Sequence, residues 1–494
     1  MESLAQSPLP GASTLLELPV ELIDGILSCL SPYDLCSVSA TCHTLRHHAL
    51  SDVLWRPIVQ SNVPGSTVRS PHPCESFQRL YAEHDRLWFL PKYKIWFCDR
   101  DLPGKLILVR YDDRRGCIEG FELLAVSKRT RYEAWSANNQ VMIHSFEPTV
   151  RLHVDKPILQ FKVGDRDEDG GFSTRPEANR FADEIPMVLD DRLQHMYSNF
   201  LLNKPLSQEE AEMSLVEDYP YGSIWPPPAV PARQHARGMR SGQYSQWLRT
   251  YDRPRRRCEV SDQTFSIRRW IQMGGAVHSP VGMGLDRVGS VAGSIPISDM
   301  TGRQPGGAIG AHIGEEVMTF STLDPELYKP TPTRPWRGIW VGDYSGHGCE
   351  FLLINQPDEP EATDEELHLI REEGESDETW ERRRMDARIY RGRLGAIKLT
   401  GDPNVPRGEY TFAADDLGPD GFVGLASEPP FEGVRVVRSK GHIAHTGFIQ
   451  DRFIESQLLL LGPDRLAQYW VGFGHISFFE RVNIDDHLDP NMSR

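Results

Sequence analysis

The chain has 494 residues, of which 39% are hydrophobic and 25% are charged, and its formal net charge is −16. A chain of this length and composition is typical of about two to four globular units, which excludes collagen-like, disulfide-stapled and largely disordered proteins. The acidic balance also argues against a nucleic-acid partner.

Residues 15–60 have helical periodicity. Leu18-Pro19 begins a first helix, since proline is tolerated in a first turn, and Ser31-Pro32 repeats the start signal. The apolar stripe that follows these signals contains Leu22, Ile23, Ile26, Leu27, Leu30, Leu35 and Val38. Three short helices cannot bury all of these side chains among themselves, so the pattern predicts an exposed apolar patch that needs a partner.

The residues Leu18-Pro19, Glu21, Ile23, Ile26-Leu27, Leu30, Asp34-Leu35, Val38, Cys42, Leu45 and Trp55 stand at the spacing of an F-box, which this region resembles. In that family the module binds Skp1, and through Skp1 the cullin and RING subunits of an SCF ubiquitin ligase. The resemblance implies that Skp1 is contacted by Leu18, Pro19, Ile23, Ile26, Leu27, Leu30, Leu35 and Val38. The alternative is that the stripe packs on the rest of the same chain.

In residues 86–163 the pattern changes from helical to short runs of residues that favour β-strands. Turn residues separate the runs, among them Pro103-Gly104 and Glu147-Pro148. The predicted strands are Lys94–Asp99, Lys105–Tyr111, Cys117–Val126, Val141–Phe146, Val150–Val154 and Ile158–Val163.

Residues 165–314 have the weakest signals for regular structure. They include a proline run at Pro226–Pro228 and a glycine-rich tract from Gly274 to Gly314. We expect a long, partly disordered insertion with one short helix at Glu209–Val216.

Residues 315–482 return to strand patterns, which an acidic segment interrupts. Residues 358–381 contain twelve acidic residues and one basic residue, Arg371, and we expect them to form a solvated flexible loop. The predicted strands are Trp336–Tyr344, Cys349–Asn355, Met385–Thr400, Val434–Ser439, Gly441–Gln450, Phe453–Leu461, Arg465–Phe473 and His475–Val482. With no regular helices between them, the strands of 86–163 and 315–482 predict one mainly antiparallel barrel-like domain, and hence an α+β protein.

Four motifs in this C-terminal half carry a second resemblance. They are GIWVGDYSGHGCE at 338–350, RLGAIKLTGDPNVPRG at 393–408, HIAHTGF at 442–448 and YWVGFGHISFFERV at 469–482. The amino-acid sequences of these motifs and their order along the chain resemble the F-box only protein 31 family. The shared β-barrel of that family is described as a cyclin D1-binding domain. The resemblance implies a protein that captures substrate proteins, with a cyclin-like protein or a terminal peptide among the targets to expect.

The motifs also contain candidate substrate-binding residues. In the turn-rich loop 401–406, Asp402 and Asn404 either bond a substrate or only satisfy their own turn. Tyr344 and His347 lie in a glycine-rich turn that allows close backbone approach, although a core turn is the alternative. His445 is a further candidate for the same barrel mouth, with a surface or core position as the alternative.

Enzyme signatures are weak. Asp343, Ser345 and His347 have the residue types of a nucleophilic triad but lie within five positions, whereas such groups normally converge from distant elements. No P-loop, dinucleotide fingerprint or HExxH occurs. We therefore expect a receptor without catalytic residues. A small-molecule-binding or scaffold barrel that uses Skp1 without ubiquitination is the main alternative.

Eight cysteines occur without a CxxC pair or a zinc-like Cys/His spacing, so we expect free thiols, no metal and no cofactor. The longest apolar run, Leu458–Leu461, is far too short to span a bilayer, and the N-terminus lacks signal-peptide features. We expect a cytoplasmic or nuclear protein without a membrane partner.

Overall fold

A computed structural model describes residues 15–98, 102–164, 181–187, 196–205, 253–272, 313–357 and 362–490. The described residues form an N-terminal helical module followed by strands that are joined in one continuous sheet. Every helix among these residues is too short or too polar to cross a membrane.

The helical module begins with a 3-10 turn at Leu15–Glu17. Its helices are α1 (Val20–Leu27), α2 (Pro32–Ser39), α3 (His43–Ala49), α4 (Asp52–Ser61), α5 (Phe77–Glu83) and α6 (Phe89–Tyr93). Residues 15–61 thus hold four helices where three were predicted. The reason is Ser51, whose hydroxyl caps α4 by accepting from the N–H of Val53 and so separates α3 from α4.

The first set of strands forms a barrel-like layer, which we call barrel 1. Strand β8 pairs with β1, and β5 lies beside β4, so that the layer curls back on itself. Its strands are β1 (Ile95–Cys98), β2 (Leu106–Asp112), β3 (Cys117–Trp135), β4 (Asn138–Lys162), β5 (Ile185–Met187), β6 (Met196–Leu202), β7 (Thr264–Gln272) and β8 (Ile313–Ser321).

The second set closes an eight-stranded antiparallel barrel, which we call barrel 2. Its strands pair in the order β9-β10-β11-β12-β14-β15-β16-β17, and β17 pairs back with β9. An extra strand, β13, pairs with β14. The strands are β9 (Gly338–Asp343), β10 (Cys349–Asn355), β11 (Leu394–Lys398), β12 (Tyr410–Ala414), β13 (Phe422–Leu425), β14 (Arg435–His445), β15 (Ile449–Gly462), β16 (Arg465–Trp470) and β17 (His475–Arg481).

The alternation of side chains along each strand divides the apolar residues into separate cores. Trp96 joins the lumen of barrel 1 to the core of the helical module, while its neighbour Phe97 belongs to a core shared by the outer faces of both barrels. In β10, Leu352 fills barrel 2 and Leu353 faces the shared core. The parallel pairing of β4 with β17 joins the two barrels into one sheet.

The predicted fold class, N-terminal helices followed by a mainly antiparallel β-barrel, is confirmed. The structure adds further strands, because part of the presumed insertion is strand. β5, β6 and β7 lie entirely within 165–314, and β8 begins there. Their apolar side chains, such as Phe200 and Phe265, are fully buried. The predicted helix Glu209–Val216 lies outside the described residues.

Two further local predictions were wrong. The expected turn at Glu147-Pro148 does not occur, because the three strands predicted from Val141 to Val163 are one strand, β4, whose irregular register with β3 absorbs the proline. In the acidic segment, described residues 362–381 form turns and the start of helix α7 (Asp377–Ile389) rather than a strand-to-strand loop. Arg383 and Arg384 stabilise this arrangement by pairing with Glu375 and Asp364.

Candidate functional site

The helical module leaves several large apolar side chains exposed. Leu22 and Ile26 lie one helical turn apart on α1, and they are 55% and 46% exposed. Leu15 and Leu16, in the turn that precedes α1, and Tyr33 at the start of α2 are also exposed. We call these five residues the apolar face. Several large apolar side chains left exposed within one small module are typical of a protein interface.

Three of the predicted Skp1 contacts lie in the core of the helical module. Ile23, Leu27 and Leu35 are at most 2% exposed and pack in the same core as Trp55 and Val59. The physical reason is the helical period, since Ile23 and Leu27 lie about 100° around α1 from Leu22 and Ile26. The module therefore uses the side of α1 that carries Ile23 and Leu27 to form its own core.

The other predicted contacts remain at or near the surface. Pro19 and Ile26 are exposed, while Leu18, Leu30 and Val38 are half-buried against the core. Leu15, Leu16 and Tyr33 are exposed as well, although they lie outside the stripe named from the sequence. Leu22 lies in that stripe, but the stripe alone does not tell which of its two sides faces inward.

The predicted substrate-binding loops converge at one end of barrel 2. In a closed antiparallel barrel, alternate connections lie at the same end. The connections 344–348, 399–409, 446–448 and 471–474 are therefore neighbours, and we call them the mouth. Asp402, Asn404, Tyr344, His347 and His445 all lie at or directly next to this mouth.

A cluster of buried charged side chains lies directly beneath the mouth. Lys398 is 1% exposed, and its Nζ lies 2.7 Å from both Glu350 Oε2 and Asp402 Oδ2. The ring of Tyr344 covers the same ammonium group at 4.3 Å, and its hydroxyl lies 2.7 Å from Thr411 Oγ1. Two carboxyl groups thus share one cation in a buried site, where the charge of each group depends strongly on the others.

Asp402 has a structural position. Its Oδ1 accepts from the backbone N–H groups of Asn404 and Val405, at 2.5 and 2.8 Å, while Oδ2 faces Lys398. The side chain is 6% exposed, so a substrate would have to break these bonds to reach it. Of the two roles considered from the sequence, the geometry favours the structural turn.

The remaining candidates are more accessible. His347 and His445 are exposed on the rim, and Asn404 is half-buried. Asn404 Oδ1 accepts from Thr446 Oγ1 at 3.0 Å, and the carbonyl of Pro403 accepts from Gly447 and Phe448, so the 399–409 and 446–448 connections are bonded together. The exposed histidines and these hydrogen-bonded loops form the accessible part of the mouth.

Burial is the main cause of the titration behaviour of Glu350. It raises the pKa of Glu350 to about 8, helped by Asp402 and opposed by Lys398. Burial would also raise the pKa of Asp402, but the charge of Lys398 and its hydrogen bonds hold that pKa below its usual value. At neutral pH Glu350 is thus largely protonated and Asp402 ionised, which leaves one net pair with Lys398.

This shift predicts a pH-dependent stability. Between the ordinary pKa of 4.5 and about 8, folded Glu350 holds a proton that the unfolded chain releases. The free energy of unfolding should therefore fall as pH rises through this window. Urea unfolding at intervals across the window should show this decline in the wild type and a weaker one in Glu350→Gln. Equal slopes in the two proteins would contradict the assignment.

The segment 343–347 contains the residue types of a nucleophilic triad, but its Asp343 and Ser345 contact a histidine outside the segment. His144 on β4, not His347, reaches both partners: its Nδ1 lies 3.4 Å from Ser345 Oγ and its Nε2 lies 3.4 Å from Asp343 Oδ2. Burial alone would raise the pKa of Asp343, but His144 and the N–H of Ser345 lower it. These long contacts tie β4 to the mouth, and sequence reasoning could not find His144 because it lies 201 positions from Ser345.

Among the described residues, no three or more His, Cys, Asp or Glu side chains are grouped so that they could hold a metal ion.

Comparison with known domains matches both parts of the chain. A family model described as F-box-like matches residues 15–61, and one described as a cyclin D1 binding domain matches residues 320–486. The chain therefore combines an N-terminal F-box-like domain with a C-terminal cyclin D1 binding domain, as the sequence motifs predicted. The second match covers barrel 2 and its mouth.

One curated relative is Protein EXECUTER 2, chloroplastic, from Arabidopsis thaliana. It is 28% identical over 164 residues, which are 33% of this chain and 22% of that protein. The match thus spans less than a quarter of that relative's length.

Proposed function

We propose that this protein is the substrate-recognition subunit of an SCF ubiquitin ligase. The apolar face of the F-box-like domain binds Skp1, and Skp1 links the chain to the cullin and RING subunits. The rim of barrel 2 binds a protein substrate. This function places the chain in the cytoplasm or the nucleus.

The observation that carries the proposal is the apolar face itself. Leu22 and Ile26 are exposed although Ile23 and Leu27 on the same helix already form the core. Burying a leucine or isoleucine side chain is worth about 1.5–3 kcal/mol, so five large apolar side chains left in water favour association with a partner.

The chain's contribution to ubiquitin transfer is proximity. A substrate held near the ubiquitin-loaded enzyme on the same scaffold presents its lysines as if the reaction were intramolecular. This role requires the chain to bind both the substrate and the ligase scaffold tightly. It needs no acid, base or nucleophile from this chain.

The filled lumen of barrel 2 argues for a protein substrate over a small ligand. Trp340, Phe412 and Phe479 occupy the middle of the barrel, and the Lys398 cluster closes its mouth end. Binding is therefore assigned to the outer rim, where His347 and His445 are exposed.

The test uses the intact chain, because the core of the F-box-like domain is continuous with that of barrel 1. Purified chain mixed with recombinant Skp1 should elute as one stoichiometric complex in gel filtration, and addition of cullin and RING subunits should enlarge it. Absence of a Skp1 complex would overturn the proposal. A complex whose loss changes the lifetime of no cellular protein would instead support the scaffold alternative.

A further inference from the structure

The outer half of β3 has an unpaired edge. The β2–β3 ladder ends with Ile107 opposite Glu122, whereas the β3–β4 ladder continues to Trp135 opposite Asn138. Within the described ranges, no strand pairs with the other side of residues 127–135. We call this segment the β3 edge. Unpaired backbone groups on such an edge are a template for a further strand.

The hydrogen bonding of β4 shows which groups point outward. The N–H of Met142 donates to the carbonyl of Gly474 at 2.8 Å, so Met142 is turned toward β17 and away from β3. Ala134 lies opposite Met142, and opposed antiparallel residues either exchange both bonds or neither. The N–H and C=O of Ala134 therefore point to the open side. By the same alternation, so do those of Tyr132, opposite His144.

The β3 edge is held firmly in place. Thr130 Oγ1 donates to Asp343 Oδ2 at 3.3 Å, and the ring of Tyr132 stacks on His144 at 4.5 Å while its hydroxyl donates to Ser345. At the far end, Trp135 Nε1 donates to the carbonyl of Pro429 at 2.8 Å. A strand fixed at three points loses little conformational entropy when it pairs. The contacts with Asp343 and Ser345 place it beside the mouth.

The charge of the β3 edge indicates what would pair with it. Lys128, Arg129 and Arg131 are exposed, and none has an ion-pair partner among the described residues. Glu133 is the one acidic residue in the segment, whereas the whole chain carries −16. Three cations in the short segment 127–135, without ion-pair partners in the part of the chain that the structure describes, are complementary to an acidic extended segment.

We propose that the β3 edge binds an acidic, extended segment of a protein substrate by β-strand addition. This inference rests on the proposed function and adds a second contact, beside the rim of barrel 2, for the same substrate: backbone hydrogen bonds to Tyr132 and Ala134 supply affinity, and the cations select acidic side chains. The competing explanation is that the cations only protect the edge from pairing.

The test uses the full chain bound to Skp1 and two labelled octapeptides, one alternating glutamate with valine and one alternating lysine with valine. Fluorescence anisotropy should show binding of the glutamate peptide alone. Ala134→Pro removes an outward N–H without touching the β3–β4 ladder and should weaken binding at least about tenfold. Ala134→Val keeps the N–H and should bind as the wild type. Arg129→Glu with Arg131→Glu should shift the preference to the lysine peptide.

Several outcomes would overturn the inference. These are no binding of the glutamate peptide, equal binding by Ala134→Pro and wild type, and dimers of the chain that disappear in Ala134→Pro, since a second copy would then occupy the edge. Loss of binding on charge reversal alone would mean side-chain attraction without strand addition. Skp1 binding, measured in the same samples, reports on the proposed function separately, because the β3 edge lies outside the F-box-like domain.

Discussion

Replacing Leu22 and Ile26 together by aspartate is expected to abolish Skp1 co-purification while the chain stays folded. Both side chains are about half exposed, so the free protein loses little packing. In the complex, the change removes roughly 1.5–3 kcal/mol of apolar burial per residue and adds two buried charges. Since 1.4 kcal/mol is tenfold in affinity, a loss of at least about a hundredfold is expected. Pull-down with recombinant Skp1 measures it.

Two controls make this result specific. Val423→Asp changes a similarly exposed apolar residue on β13, outside the F-box-like domain, and should leave Skp1 binding intact. Leu27→Asp puts a charge into the core and should lose both Skp1 binding and the thermal unfolding transition of the module. If the Leu22/Ile26 double variant still bound Skp1 at wild-type strength, the apolar face would not be the docking surface.

Replacing Lys398 by methionine is expected to destabilise barrel 2 by about 3–5 kcal/mol, because a buried carboxylate is left without its cation. Nζ lies 2.7 Å from both Glu350 and Asp402, and the side chain is almost fully buried. Methionine has a similar length, so the loss comes from charge rather than from a cavity. Urea unfolding measures the change.

The charge origin can be checked by a second substitution. Adding Asp402→Asn to Lys398→Met should recover part of the stability, since the uncompensated carboxylate is then removed. Lys440→Met breaks an exposed ion pair with Asp415 and should change stability little. A Lys398→Met variant as stable as the Lys440→Met control would show that the cluster does not support the barrel.

The helical module was the most predictable part of the fold. Its start signals are local: Pro19 precedes α1, and Ser31 caps α2 by accepting from the N–H of Asp34. Such signals act within one helical turn, so the sequence nearby is enough to read them. The inward and outward sides of α1 were not predictable, because Leu22 and Ile23 are both apolar and only the packing against Trp55 separates them.

The strands of barrel 1 were less predictable. β7 was hidden in a region rich in glycine and proline, and its pairing with β6 joins residues such as Phe265 and Leu202 across more than sixty positions. The burial of Phe265 against Trp96 and Phe320 stabilises β7. The residues next to β7 in the sequence do not predict this strand. Tertiary packing of this kind overrides local strand propensity.

By itself, the sequence determined the domain order, the helix starts and the loops that meet at the mouth, because motifs and turn residues act over a few positions. The tertiary structure decided that Asp402 pairs with Lys398 beneath the mouth and is almost fully buried. It also brought His144 to Ser345 and left the β3 edge open. These features depend on burial and on pairing between distant strands, and neither is encoded at any single position of the chain.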